Sequence, residues 1–437
     1  MIPVTLQNYY LHQGRFRIDL NFSDSNSNDS KFSAAFPRLR FHPEYVLIYP
    51  MTISRRLALL WFLLLVPLVT VAAAGNSSQH KFLLFVGTYT DKESKGIYAY
   101  SFDSVSSDLT PLGVAAETIN PSFLAIDPSQ RFLYAVNEVQ NYKGVSSGTV
   151  SAFSIDRSTG KLQLLNRIAS RGADPCYLAF DKTGKYVLVA NYTGGNVAVF
   201  PVWPTGQIGE SSAFVQHAGS SVNHERQAGP HAHWIETTPD NRFAIAADLG
   251  LDELLVYRFG RVAGTLTAND PPFANLDPGA GPRHLAFHPD GKLAFVVNEL
   301  QSTISTFSYD PNRGALHKLN TVSTLPKGFT GNNDAAEIEV HPNGKFLFAS
   351  NRGHDSIAAF SIGNITGALT LVDHFPTQGK TPRSFTIDPT GKFLLVANQD
   401  SNNIVVFRID RNSGRLTPTG QVVSVPSPVC LKFMPAE

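Results

Sequence analysis

The sequence predicts an all-β fold: a seven-bladed β-propeller, four antiparallel strands to a blade, with the ring closed by both chain termini. Three observations carry this expectation. First, one pattern recurs six times, as Pro121–Glu138 (PSFLAIDPSQRFLYAVNE), Pro175–Tyr192 (PCYLAFDKTGKYVLVANY), Ala232–Leu249 (AHWIETTPDNRFAIAADL), Pro282–Glu299 (PRHLAFHPDGKLAFVVNE), Ala335–Arg352 (AAEIEVHPNGKFLFASNR) and Pro382–Gln399 (PRSFTIDPTGKFLLVANQ). The copies start about 50 residues apart, the period of a propeller blade. Second, a seventh copy is split: Pro428–Pro435 (PVCLKFMP) matches the first half of the pattern and Phe82–Thr88 (FLLFVGT) the second. An open ring would leave unpaired strand edges, so one blade built from both termini is expected. Third, each repeat holds four strand signals. In the repeat at Pro282 they are Leu285–His288, Leu293–Asn298, Thr303–Tyr309 and Leu316–Thr324, with turn signals at Pro289–Lys292 and Asn312–Gly314. No helical periodicity is sustained after residue 80.

The chain divides in order. Residues 1–50 read as an over-extended N-terminus, and the polar run Asn21–Ser30 (NFSDSNSNDS) is too poor in apolar groups to fold. Residues 51–74 have the parts of a signal peptide: Arg55 and Arg56, the apolar stretch Leu57–Val71, then three alanines before Gly75. Met51 is therefore the expected true start, and export to the periplasm or the cell exterior is the expected destination. A signal anchor that keeps the protein on a membrane is the alternative; after cleavage no membrane contact is expected. Residues 81–437 are the propeller.

Composition narrows the partners. Lys plus Arg number 36 against 35 Asp plus Glu, a net charge of +1, so no basic face for nucleic acid is implied. The only two cysteines, Cys176 and Cys430, fall two blades apart in the repeat register and are expected to be unpaired core residues. A monomer is expected.

The repeat also locates a site. The first strand of each blade lines the channel and the second runs back beside it, so the start of one and the end of the other share a face. Two positions converge there: the residue after the leading Pro and the residue after the Asn. They read Ser122 and Glu138, Cys176 and Tyr192, His233 and Leu249, Arg283 and Glu299, Ala336 and Arg352, Arg383 and Gln399, with Val429 and Thr88 in the split blade. His231, His284, Glu337, His354 and Asp355 lie within two residues of these positions. Charged residues are only 16% of the chain, yet they concentrate at this mouth, which marks a candidate site. Blander readings stand beside this one. Arg352 and Arg383 could be ion pairs between blades, and His354 with Asp355 a turn cap. The recurring Asn137, Asn191, Asn298, Asn351 and Asn398 read as turn-forming scaffold, and His288 and His341 as structural stand-ins for the Asp of the Asp-Pro turn. His231 and His233 face alike on a strand, as a metal pair would, but no further ligand follows at usable spacing, so neither metal nor cofactor is expected. No phosphate loop, nucleophile elbow or Cys–His dyad appears.

The chain resembles the seven-bladed lactonase family that includes cycloisomerase-type 6-phosphogluconolactonases and fungal carboxy-cis,cis-muconate cyclases. The resemblance rests on Phe85–Thr90, Gly229–His233, Ala247–Gly250, Gly281–Pro289, Val297–Glu299, Ala336–Ile338, Ala349–Ser356 and Thr381–Phe385. It implies a metal-independent site of one His, two Arg and one Glu, mapping to His233, Arg283, Glu299 and Arg352, which the repeat frame selects as well. His231, His284, Glu337, His354, Arg383, Gln399 and Glu138 are then the expected substrate-binding groups. Lactone opening needs a base for water and donors for the oxyanion. Glu299 or His233 would be the base, and Arg283 with Arg352 the donors. The implied activity is a secreted lactonase acting on a small sugar lactone. A muconate-type cyclase on the same site and a non-catalytic binding propeller are the alternatives. The export signal sits poorly with a phosphorylated cytosolic substrate.

Overall fold

The computed structural model describes residues 80–436 except 92 and 364–365. Seven four-stranded antiparallel sheets make up the body of the fold, and no α-helix occurs among the described residues. The segments expected to be an over-extended leader and a signal peptide lie outside the described residues.

Blade 1 is the split one. Its innermost strand is Pro428–Pro435, followed outward by Lys81–Thr88, Gly96–Asp103 and Leu109–Glu117. Leu84 pairs with Phe433 and Val86 with Leu431, so the two ends of the chain close the ring in the expected register. Blades 2 to 7 each run inner to outer in chain order, with inner strands Leu124–Ile126, Pro175–Phe180, Ala232–Thr237, Pro282–Phe287, Asp334–Val340 and Pro382–Ile387. In blade 5 the other three strands are Leu293–Asn298, Thr303–Asp310 and Ala315–Ser323. The inner strand there starts three residues before the expected Leu285, because Pro282 already pairs with Asn298.

The second strands are mostly apolar up to a polar end, as in Leu293–Asn298 and Tyr186–Asn191, since each is sandwiched between neighbouring blades. Burying each Val, Leu or Phe there contributes about 1.5–3 kcal/mol.

Polar groups stitch blade to blade. In blades 3 and 7, Asp181 and Asp388 at the tight turn accept several backbone N–H groups, as at Lys185 (2.8 Å) and Phe393 (2.7 Å). His288 and His341 occupy that place in blades 5 and 6. Their Nε2 atoms reach onward to Gly344 O (2.9 Å) and Gly391 O (2.8 Å) of the following blade. The recurring asparagines are fully buried and do more than form turns. Asn191 donates to Ser170 O (3.0 Å), Asn351 to Thr324 O (2.8 Å) and Asn398 to Thr377 O (3.2 Å), clipping each blade to the segment that enters from the one before. Cys176 and Cys430 are both free and buried.

Candidate functional site

One local irregularity builds the site. Five of the full inner strands slip register just after their leading residue, at Pro175/Tyr177, Ala232/Trp234, Pro282/His284, Ala335/Ile338 and Pro382/Ser384. The unpaired residue of a bulge is re-aimed out of the ladder. Here the bulged residues include Cys176, His233, Arg283 and Arg383. At the ends of second strands, the residue after the buried Asn lies beside them: Glu138, Tyr192 and Glu299 just past the strand, and Arg352 as its last paired residue. Most of these groups line a cavity of about 270 Å³, completed by Tyr89, Arg226 and Asp334.

Glu299 is the hub. Arg226 donates to its Oε1 from 2.6 Å. Its Oε2 makes ion pairs with Arg352 Nη2 at 2.8 Å and Arg283 Nε at 3.1 Å, neither aligned as a hydrogen bond. Burial opposes ionisation of Glu299, but Arg352, Arg283 and the hydrogen bond from Arg226 outweigh it and hold the carboxyl well below the usual carboxylate range. A carboxylate held that far down is a poor proton acceptor near neutrality. Arg283 is 3% exposed; burial first, then Arg352 and Arg383, pushes it down to about 10.

His233 is the neutral group among these charges. Burial, Arg283 and His284 hold its imidazole well below its ordinary value. Its Nδ1 lies 3.7 Å from Cys176 Sγ, a weak contact, and its ring edge meets Tyr192. Behind it, His284 Nδ1 pairs with Glu337 Oε1 at 2.8 Å, and Arg283 Nη1 lies against the same ring, 3.4 Å from Nδ1 and 3.2 Å from Nε2. Glu337 and His284 therefore fix Arg283, which also donates to Ala336 O (2.7 Å).

Arg383 stands apart. Among the described residues its guanidinium makes no hydrogen bond and no ion pair within 4 Å; it lies over the Tyr89 ring, 5.3 Å from the centroid. The Tyr89 hydroxyl donates to both oxygens of Glu138, at 2.9 and 3.0 Å. Burial raises the Glu138 carboxyl, against the pull of Arg383.

The cavity thus gathers Glu138, His233, Glu299, Arg352 and Arg383, with Arg283 immediately beneath. The other expected residues lie elsewhere. His284 and Glu337 face a second cavity of about 570 Å³ further along the channel, with Tyr177, Trp234 and Lys432. His231 stacks on Tyr192 (centroids 4.5 Å, 17°) and bonds Tyr192 O, so it turns away from His233 and the two form no metal pair. His354 Nδ1 bonds Ser356 Oγ at 2.7 Å, and Asp355 accepts Thr381 N at 2.8 Å: the turn-cap reading. Gln399 takes part through its backbone N–H, bonded to Thr381 O. Among the described residues no three His, Cys, Asp or Glu side chains are arranged to hold a metal ion. Tyr89, Arg226 and Asp334 were not expected at the site. Tyr89 and Asp334 fall next to repeat positions. Arg226 lies in the long connection between Gln216 and Ala232, for which the repeat has no register.

The family described as Lactonase, 7-bladed β-propeller matches residues 83–433. A 6-phosphogluconolactonase from Bacillus subtilis is 39% identical over 354 residues, spanning 81% of this chain and 99% of that protein. A 6-phosphogluconolactonase from Formosa agariphila is 37% identical over 310 residues, 70% of this chain and 86% of its own length. Among solved structures, the periplasmic gluconolactonase of Pseudomonas aeruginosa superposes with a TM-score of 0.77 at 36% identity, covering 82% of this chain and 100% of that one.

Proposed function

The chain belongs to the seven-bladed β-propeller lactonase family, and on that premise we propose that it hydrolyses a sugar lactone at the mouth cavity, by acid–base chemistry that needs no metal. It is a lactonase of the 6-phosphogluconolactonase type. The observation that carries the site assignment is that one cavity is lined by both a neutral imidazole, His233, and a guanidinium, Arg383, that makes no ion pair within 4 Å among the described residues.

In this reading His233 takes a proton from water as the water oxygen attacks the lactone carbonyl. The carbonyl oxygen becomes an oxyanion and is held by Arg383 and the outer face of Arg352. The intermediate collapses by breaking the bond from the carbonyl carbon to the ring oxygen. His233 returns its proton to that oxygen, giving the open hydroxy acid. Glu299 stays anionic, steadies the imidazolium while it lasts, and holds Arg352 and Arg283 in place. This moves the oxyanion role from Arg283 toward Arg383, since Arg283 is buried and occupied by Glu299, Ala336 and His284.

We further read residues 51–74 as a cleaved export signal, with 1–50 absent from the mature protein. The Pseudomonas relative is described as periplasmic, which favours export. An exported enzyme meets gluconolactone more readily than its 6-phosphate. Two experiments test this. Sequencing the N-terminus of the mature protein should find a start near Gly75; finding Met1 there refutes processing. Assay of the purified protein on glucono-δ-lactone, its 6-phosphate and other sugar lactones should find hydrolysis. Hydrolysis of none of them, with ring closure of an unsaturated diacid instead, would install the cyclase alternative.

A further inference from the structure

Three guanidinium groups share the Glu299 carboxylate, but they are not equivalent. Arg283 and Arg352 come from the blades themselves and are 3% and 13% exposed; both bind Oε2. Arg226 comes from the 217–231 connection, binds Oε1 alone, and is 38% exposed. The base of that connection is rigid. Gln227 is fully buried and donates to Leu249 O and Asp252 Oδ1, each at 2.8 Å. Asp248 accepts His231 N at 2.7 Å, and its other oxygen is held by His217 at 2.6 Å. The Arg226 side chain extends from this anchored backbone to the cavity, partly exposed. Its other contacts are weak: Tyr192 OH at 3.3 Å and Asp334 Oδ1 at 4.0 Å.

The consequence is electrostatic. If Arg226 lets go of Glu299, the carboxylate keeps two buried guanidinium partners, so the hub survives. What is lost is one ion pair between a partly exposed guanidinium and a buried carboxylate. The cavity lining balances the guanidinium groups of Arg226, Arg352 and Arg383 against the carboxylates of Glu138, Glu299 and Asp334, and Arg283 beneath it adds one further positive charge on the Glu299 side. Arg226 is the most exposed of the three guanidinium groups on Glu299.

We propose that Arg226 is the specificity residue that reads an anionic substituent on the substrate, away from the lactone carbonyl, by exchanging Glu299 for that anion. Asp334 opposes it, as a competing partner for Arg226 and as a like charge to the ligand. The proposal rests on the lactonase reading only for the identity of the ligand.

The test compares wild type, Arg226→Gln and Asp334→Asn on glucono-δ-lactone and its 6-phosphate, and measures by calorimetry the affinities for gluconate and 6-phosphogluconate. A lost charge-assisted contact should lower the phosphorylated-to-neutral ratio of kcat/KM in Arg226→Gln roughly ten- to a hundredfold. The ratio of the two product affinities should fall in the same direction. Asp334→Asn should raise both ratios, about two- to fivefold. Equal losses on both ligands in Arg226→Gln, or a lowered ratio in Asp334→Asn, overturn the assignment. Calorimetric discrimination that depends on Arg226 in a protein that opens neither lactone would refute the lactonase reading and leave the anion-reading role standing.

Discussion

Arg352 Nη2 lies 2.8 Å from Glu299 Oε2 across the boundary between blades 5 and 6, so a single carboxylate both joins two blades and assembles the site's guanidinium groups. The ion-pair and active-site readings of Arg352 are thus the same contact. Arrangement of the site and integrity of the ring are coupled there.

Glu299→Gln should therefore act on stability as well as turnover. It leaves buried Arg283 beside Arg352 with no compensating charge, and breaking a buried pair in this way costs about 3–5 kcal/mol. Denaturant unfolding at neutral pH would read the loss. The carboxyl's folded value lies below its unfolded one, so its stabilisation is complete above about pH 4 to 5 and fades as pH falls below that range. The stability gap between wild type and variant should shrink on acidification. A variant as stable as wild type at pH 7 would show that the cage is energetically idle.

Arg383→Ala removes the one site guanidinium without a carboxylate partner among the described residues. Loss of a principal oxyanion donor lowers turnover roughly 10²–10³-fold. Arg383→Lys keeps the charge but not the planar fork, and should recover only part of it. Steady-state kinetics on the best lactone decides the point. Full activity in the alanine variant would return the oxyanion to Arg352.

Exhaustive chelation should leave hydrolysis intact, because His231 and His233 diverge and no third ligand joins them among the described residues. Loss on chelation, with recovery on adding back one divalent ion, would reverse this.

Deleting 426–437 removes the innermost strand of blade 1 and strips Lys81–Thr88 of its partner. The exposed edge should drive aggregation. Light scattering of the truncated protein would show it, and a soluble, cooperatively unfolding truncation would mean the closure is dispensable.

Much of this architecture was readable before any coordinates, and the reason is repetition. Once Pro282 and Asn298 mark the two ends of a unit, the positions after them fall at one mouth in every blade, and Glu138, His233, Glu299, Arg352 and Arg383 follow. Proximity in sequence was a weaker guide. His284 is next to Arg283, yet it faces the second cavity, because successive residues on a strand point to opposite sides. Glu337 is displaced likewise by the slip between Ala335 and Ile338. Arg226 was illegible because it sits in a connection without repeat register, brought to Glu299 by anchors at Gln227 and Asp248. The base assignment was open for a similar reason. Residue type alone admits Glu299 or His233, and only the three surrounding arginines show how far the carboxyl is held from proton acceptance.

That distinction gives the last prediction. Burial, Arg283 and His284 keep His233 neutral well below the ordinary imidazole value of about 6.5. If His233 is the base, the acid limb of kcat should lie well below pH 6.5. His233→Asn should cost roughly 10²–10⁴ in kcat, with little pH dependence left in what remains. Stability carries its own signature. The folded value is depressed, so the neutral ring's contribution is complete above about pH 6.5 and is lost as pH falls toward the folded value. His233→Asn should therefore lose less stability than wild type between pH 6.5 and 5. His284→Phe provides the contrast, since His284 positions Arg283 and adds to the depression of His233: activity should drop, and the acid limb should still belong to His233 but move up toward the ordinary imidazole value. A limb at pH 6.5 in wild type, or a His233→Asn enzyme that keeps full turnover, would remove the imidazole from the proton-transfer step and leave Glu138, whose carboxyl burial raises, as the next group to test.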